Sequence, residues 1–126
     1  MSHKKNRQFH DDNILRALDK LPHIMKNLEN KSITIRANAT SKESGKEHIA
    51  KTSHGLQARD ITRLPKIFLD IKTKVVQDPN FENRKNYYAE KRHKYLFAGY
   101  IKVVTEIKND QSEEIITVFF AEKIKK

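Results

Sequence analysis

Two β-strand patterns joined by a polar turn constrain the fold of this chain more than any other feature. Residues 97–107 alternate between two sets of side chains, with Ile101, Val103 and Ile107 on one side. Residues 114–121 are almost all apolar, which is typical of a strand covered on both faces. The connecting residues 109–112 are Asn-Asp-Gln-Ser, residue types that favour turns. We therefore predict a hairpin near the C-terminal end of the chain.

Helical periodicity is confined to the residues before this hairpin. The first helical pattern covers residues 12–28, with apolar residues every three or four positions and a predicted kink at Pro22. A further helix is predicted over residues 64–71, with Pro65 in its first turn. Extended segments are predicted at residues 31–37 and 85–90, and Asp78-Pro79 breaks the chain between helices and strands. Helices followed by antiparallel strands indicate an α+β fold.

The composition favours one small, basic domain. The 126 residues include 26 Lys and Arg against 16 Asp and Glu, a formal net charge of +10. We interpret residues 1–8 as a disordered basic arm and residues 9–126 as a single domain. Such a charge favours polyanions, with nucleic acid first and anionic membrane second, although it also serves solubility alone. The chain has no cysteine, no secretory signal and no apolar run long enough for a transmembrane helix, so we expect a cytoplasmic protein.

Two histidines close together are the first candidate site. His48 and His54 flank a short basic segment that contains Lys51. Two possible capping boxes, at residues 40–43 and 44–47, place His48 inside a helix, and Gly55 is expected to end it in the left-handed conformation. Residues six apart on a helix point about 120° away from each other, so the two rings would border one cleft without touching. The alternative is that their proximity is incidental.

A basic, tyrosine-rich stretch is the second candidate. Residues 84–95 hold six basic or imidazole side chains and three tyrosines, among them Arg84, Lys91, Tyr87 and Tyr88. Cations neutralise phosphates and tyrosine rings stack on unpaired bases, so this stretch is predicted to bind RNA, together with Lys51. The alternative is a solvated loop whose tyrosines fold onto the core. Thr117, a hydroxyl within an apolar strand, either borders a cleft or is simply a good strand residue.

The motifs for metal or nucleotide chemistry are missing from the sequence. The chain has no HExxH motif, no carboxylate cluster beside the histidines and no glycine-rich phosphate loop, so we expect neither a metal nor another cofactor. RNA carries its own nucleophile, the 2′-hydroxyl group. An enzyme that cleaves RNA therefore needs only a base, an acid and cations that stabilise the phosphorane. The residues available fit this chemistry.

The order of the motifs resembles the BECR superfamily of ribonucleases, which includes barnase, EndoU, colicin-type RNases and RelE, and in particular its phage-associated branches. The resemblance covers residues 46–121 and rests on these segments: Glu47-His48-Ile49, His54-Gly55, Asp60-Ile61, Leu64-Pro65, Asp78-Pro79, residues 100–104 and residues 115–119. It implies N-terminal helices packed on a four-stranded antiparallel sheet, and metal-independent RNA cleavage. The catalytic residues that it implies are His48, His54 and Thr117, with Arg84 or Lys91 as the basic group.

Our leading hypothesis is a metal-independent endoribonuclease, a toxin or phage-encoded effector that produces a 2′,3′-cyclic phosphate. The expected partners are RNA, with tRNA as one candidate, and an acidic immunity or antitoxin protein. We expect a monomer or small homo-oligomer. Two other hypotheses remain open: a non-catalytic nucleic-acid-binding module, and a phage structural or partner-binding domain in which the histidines are incidental.

Overall fold

The computed structural model describes residues 12–36, 45–53 and 55–125, apart from the side chain of Glu47. The arm predicted at residues 1–8, the segment 40–44 that carries most of the two capping boxes, and His54 lie outside these residues. The elements are α1 (Asp12–Asp19), β1 (Met25–Lys26), β2 (Ser32–Ile35), α2 (Lys46–Thr52), α3 (Ala58–Thr62), α4 (Leu64–Leu69), β3 (Lys74–Gln77), β4 (Arg84–His93), β5 (Leu96–Ile107) and β6 (Glu113–Ala121). The fold class is α+β, as predicted.

The sheet has six strands and is mixed, so the expected four-stranded antiparallel sheet is wrong. The strand order is β1-β2-β6-β5-β4-β3. Strands β3 to β6 are mutually antiparallel, but β2 pairs in parallel with β6, with Ile33 opposite Glu113. Strand β1 forms because Asn27 closes a short turn: its side-chain oxygen accepts hydrogen bonds from the amides of Glu29 and Lys31. This turn lets β1 fold back along β2.

The first helix is shorter than its apolar pattern predicts. It ends at Asp19, and the chain passes through Pro22 into strand β1 instead of a second helix. Met25 is buried in that strand, whereas Leu28 is exposed. The prediction of helix over residues 12–28 is therefore wrong after residue 19, because proline cannot donate to the preceding turn and the chain there is stabilised by strand pairing.

The later elements agree more closely with the sequence pattern. The predicted strands at 85–90, 97–107 and 114–121 correspond to β4, β5 and β6, and the chain turns at residues 109–112 between the last two. The predicted helix at 64–71 corresponds to α4, with Pro65 in its first turn. Helix α3 begins after Gln57, whose amide donates to the carboxylate of Asp60 in a capping box. Strand β3 was missed.

The sheet has two differently covered faces. Tyr87, Val103 and Val118 lie on one face and share a hydrophobic core with helix residues such as Ile49 and Ile61. We call this the helix face. Because side chains alternate along a strand, the residues between them lie on the opposite, outer face. Among the described residues, no helix is long and apolar enough to span a membrane.

Candidate active-site face

Helix α2, which carries His48, is anchored to the strand that carries Thr117. The amide of Gly45, immediately before the helix, donates a hydrogen bond to the carbonyl of Ile116, with an N–O distance of 3.1 Å. Ile49 and Ala50 are buried in the core and hold the helix in place. His48 follows Gly45 by three residues, so it lies within one helical turn of this contact. On the strand, Ile116 directly precedes Thr117.

The imidazole of His48 is half-buried and has no hydrogen-bond or ion-pair partner among the described residues. Its backbone carbonyl accepts a hydrogen bond from the Thr52 hydroxyl at 2.8 Å, which stiffens the helix at that turn. An imidazole without protein partners can accept a proton from a bound molecule or donate one to it.

Thr117 lies on the outer face of the sheet. It is opposite Val104 in the β5–β6 ladder, next to an irregularity in the register between Val104 and Thr105. Its neighbour Val118 belongs to the helix face, so the Thr117 hydroxyl points to the other side. The side chain is half-buried, and the hydroxyl makes no hydrogen bond within the described part of the chain. This hydroxyl can therefore form a hydrogen bond with a ligand.

The outer face carries three cross-strand rows, one side chain from each of β4, β5 and β6. The rows are Tyr88–Lys102–Phe119, Asn86–Val104–Thr117 and Arg84–Glu106 with Glu114. Arg84, Lys102 and Thr117 therefore share one face. Of the two basic residues that the resemblance implies, Arg84 lies on the face of Thr117 and Lys91 does not.

Lys102 is the residue of this face that the sequence interpretation missed. Its ammonium nitrogen lies 5.4 Å from the ring centroid of Tyr88 and 5.1 Å from that of Phe119. Interaction with two ring faces keeps the cation near the middle of the sheet. Lys102 and Thr117 are diagonal neighbours on adjacent strands, a relationship that places Cα atoms about 7–8 Å apart. The signal in the sequence was a lysine on the polar side of the alternation in β5.

Arg84 lies at the far end of the outer face. Its guanidinium carbon is 4.0 Å from the centroid of the Phe81 ring, and its Nε atom is buried without a hydrogen-bond partner. The carboxylates in its row are already engaged, since Arg36 donates to Glu106 at 2.6 Å and to Glu114 at 2.7 Å. Burial alone would lower the pKa of Arg36, but these two hydrogen bonds raise it above its ordinary value. Arg84 is consequently not neutralised by the acids beside it.

Lys91 lies on the helix face and is held by Asp60. Its Nζ atom is 2.7 Å from a carboxylate oxygen of Asp60, and the side chains are 14% and 5% exposed, respectively. The same carboxylate caps helix α3 through the Gln57 amide. A lysine that is paired with a buried acid does not bring a free charge to RNA. The structure therefore gives no support to the predicted role of Lys91 in phosphate binding.

Tyr87 and Tyr88 are 2% and 1% exposed, so neither ring offers a face to a nucleobase. Tyr87 packs on Phe68 and donates a 2.6 Å hydrogen bond to the buried carboxylate of Glu113. The pKa of Tyr87 is raised far above its ordinary value, mainly because the hydroxyl group is buried and secondly because of this hydrogen bond. The ring of Tyr88 packs edge-on against Tyr100. A stacking role for the two tyrosines has no support in the structure, because both rings are buried, one on each face of the sheet.

Lys51 lies in the last turn of α2 with its side chain exposed, so its predicted contact with RNA stays a prediction. Gly55 has a φ of 84°, which confirms the predicted left-handed residue, although the helix itself ends earlier, at Thr52. Within the part of the chain that the structure describes, no three His, Asp or Glu side chains are grouped so that they could hold a metal ion.

Comparison of the chain with protein-family models, with curated proteins and with solved structures found no match. The resemblance to the BECR ribonucleases accordingly stays a prediction that rests on the sequence motifs.

Proposed function

We propose that this protein is an endoribonuclease that cleaves RNA without a metal ion. Its active site would lie along the edge of β6, between helix α2, which packs on the helix face, and the outer face that carries Thr117. The observation that carries the proposal is the hydrogen bond between Gly45 and Ile116, because it fixes the helix of His48 beside the strand of Thr117. Lys102 and Arg84 add two cations on the same face as Thr117.

Each group has a role in the proposed reaction. His48 removes the proton from the RNA 2′-hydroxyl, whose oxygen then attacks the adjacent phosphorus. The bond from phosphorus to the 5′-oxygen breaks, and that oxygen takes a proton from a second acid, for which His54 is the candidate from the sequence. Lys102 and Arg84 stabilise the negative charge that develops on the phosphorane. Thr117 positions the phosphate through its hydroxyl group. The products are a 2′,3′-cyclic phosphate and a 5′-hydroxyl.

The proposal takes its expected reaction from the motifs in residues 46–121 that resemble the BECR ribonucleases. Strands β3 to β6 lie within those residues and form the antiparallel part of the six-stranded mixed sheet. A cytoplasmic toxin of this kind would require an inhibitor in the cell that makes it. With a formal net charge of +10, the protein would attract an acidic immunity or antitoxin protein.

The direct experiment is incubation of total RNA or tRNA with the purified protein in the presence of EDTA. We expect cleavage to continue under chelation and His48→Ala to lower its rate by about 100-fold or more. His23→Ala, which removes an exposed histidine outside the active-site face, is the matched control and keeps the wild-type rate. The mechanism is excluded if chelation abolishes cleavage, or if the rate survives the double substitution of His48 and His54 by alanine.

A non-catalytic nucleic-acid-binding protein is the second candidate. It is favoured by one observation: no described residue forms a hydrogen bond or ion pair with the His48 imidazole, whereas a catalytic base is commonly oriented by a third group. This candidate predicts binding that weakens steeply with salt and no new RNA ends at any protein concentration.

A further inference from the structure

A run of basic side chains crosses the surface on the helix side of the molecule, away from Thr117. Three adjoining depressions contain it, with volumes of about 360, 700 and 370 Å³. The first two share Thr62, and the last two share Arg63 and Arg92, so they form one continuous path. We call this path the basic track; its exposed cations are Arg16, Lys20, Arg59, Arg63, Lys72, Arg92 and Lys94.

Most of the charge on the basic track is free. Arg59, Arg63 and Lys94 form no ion pair with any described residue, and only Arg92 is paired, with Glu90 at 2.8 Å. The acid of the central depression, Asp60, is buried and bound to Lys91, and the acids of the third depression are Glu90 and Asp70. The Asp60–Lys91 pair therefore neutralises itself beneath the surface, and the exposed cations above it keep their charge for a ligand.

An exposed aromatic ring stands at the end of the central depression. Tyr95 is 94% exposed, whereas the two other tyrosines of the same basic stretch are buried. It lies in a two-residue turn, in which Lys94 and Tyr95 have φ angles of 49° and 71°. His93 pairs with Leu96 on either side of this turn. Such turns normally carry asparagine or glycine, because other residues are strained in the left-handed region.

The guanidinium group of Arg92 donates a 3.4 Å hydrogen bond to the carbonyl of Tyr95, which helps to fix the turn. The strained backbone holds the ring away from the protein, beside Lys94 and Arg92. A tyrosine that packs on no core residue gains nothing for folding, but it offers a face to a flat ligand.

We propose that the basic track binds single-stranded nucleic acid, with its phosphates along Arg59 and Arg63 and one base stacked on Tyr95. Spaced cations that follow a backbone and an aromatic ring that stacks on bases are the two elements of single-strand recognition. A duplex keeps its bases paired and cannot use the ring. This inference rests on the proposed function in one respect: under that function the ligand is RNA, and the track holds it outside the active-site face.

Binding is measured by fluorescence anisotropy with a labelled single strand of 2′-O-methyl RNA, which lacks the nucleophile and cannot be cleaved. We expect Arg59→Gln with Arg63→Gln to weaken binding about 10-fold or more, and to lower the slope of log affinity against log salt by about 1.4, since each lost phosphate contact accounts for about 0.7. The matched control is Lys108→Gln with Lys123→Gln, which removes two exposed lysines outside the three depressions.

Tyr95 is tested separately. Tyr95→Ala should weaken binding to the single strand about 5-fold or more and leave the salt slope unchanged, because stacking releases no counterions. Tyr95→Phe keeps the ring and should bind as the wild type does. A duplex of the same sequence should be insensitive to both substitutions. All five substituted positions are exposed, so melting temperatures that match the wild type will show that folding is intact.

The inference is overturned if the Arg59 and Arg63 substitutions weaken binding no more than the control pair, or if Tyr95→Ala binds single strands like Tyr95→Phe. A single-stranded DNA of the same sequence shows whether the ligand is RNA or DNA. Tighter binding of RNA supports RNA as the ligand of the basic track, and tighter binding of DNA overturns it. Cleavage is a separate readout. If the protein binds RNA through the basic track but produces no new RNA ends, the proposed function is contradicted, whereas the proposal that the basic track binds a single strand is not.

Discussion

The ammonium nitrogen of Lys91 lies 2.7 Å from a carboxylate oxygen of Asp60, and both side chains are largely buried. The pair joins helix α3 to strand β4, and the same carboxylate caps the helix at Gln57. Lys91 therefore acts in folding, although its sequence context indicated a contact with RNA.

Breaking this pair should destabilise the protein. We expect Asp60→Ala to lower the free energy of unfolding by about 3–5 kcal/mol, since it leaves a buried ammonium group unpaired and removes the helix cap. Urea denaturation at neutral pH measures this loss. Lys94→Ala, which removes an exposed lysine three residues from Lys91, should change the free energy by less than about 0.5 kcal/mol. Equal losses in the two variants would contradict the structural role of the pair.

The buried hydroxyl of Tyr87 predicts a loss of stability in alkali. Because the pKa of Tyr87 is raised in the folded state, the folded protein keeps a proton that the unfolded chain releases above pH 10 or so. The free energy of unfolding should therefore fall as the pH rises above about 10, by linkage. Tyr87→Phe should reduce this slope, and Tyr95→Phe, which removes an exposed hydroxyl, should not. Urea denaturation at several values between pH 8 and pH 11 provides the comparison, and identical slopes for all three proteins would refute it.

Gly55 should tolerate asparagine better than alanine. Its φ angle is 84°, and a Cβ atom built there would lie 3.1 Å from the Cβ atom of Phe120. Both substitutions introduce that contact, but asparagine adopts the left-handed conformation more readily. We expect Gly55→Ala to cost about 1–2 kcal/mol in the free energy of unfolding and Gly55→Asn to cost less. Thermal or urea unfolding gives both values, and an alanine variant as stable as the wild type would show that the left-handed conformation is not required.

Lys102 should contribute to cleavage more than to folding. Lys102→Met keeps the length of the side chain and removes its charge, and we expect kcat to fall about 100- to 1000-fold, as for the loss of one group that stabilises the transition state. KM should change little, because the substrate is bound along the basic track. The control is Lys108→Met, which replaces an exposed lysine in the turn between β5 and β6. A Lys102→Met variant with wild-type kcat would remove this residue from the active site.

Local patterns in the sequence predicted the local structure well. The β5–β6 hairpin follows from an alternation and a turn that lie within 25 residues of each other, and Pro65 and Gly55 marked a helix start and a left-handed position. The parallel pairing of β2 with β6 was not predictable in this way. It joins Ile33 to Glu113, and nothing local to either strand identifies the other as its partner.

The candidate site was predictable in part, for the same reason. His48 and Thr117 were predicted from residue type and order, but whether a cation lies beside Thr117 depends on which face of the sheet the cation occupies. Arg84 and Lys91 are both strand cations, and only the register of β4 against β5 separates them. Tyr87 and Tyr88 were predicted to stack on RNA bases, but their burial depends on packing on both faces of the sheet, which the local sequence does not indicate.

The chemical nature of the RNA ends tests the proposed function most directly. Purified protein is incubated with a defined RNA in EDTA, and the products are analysed by mass spectrometry, with His48→Ala and Thr117→Val in parallel. We predict a 2′,3′-cyclic phosphate and a 5′-hydroxyl at each cut, formed at least about 100-fold more slowly by His48→Ala. Products that end in a 3′-hydroxyl and a 5′-phosphate, or intact RNA after incubation with the wild-type protein, would contradict the proposed function.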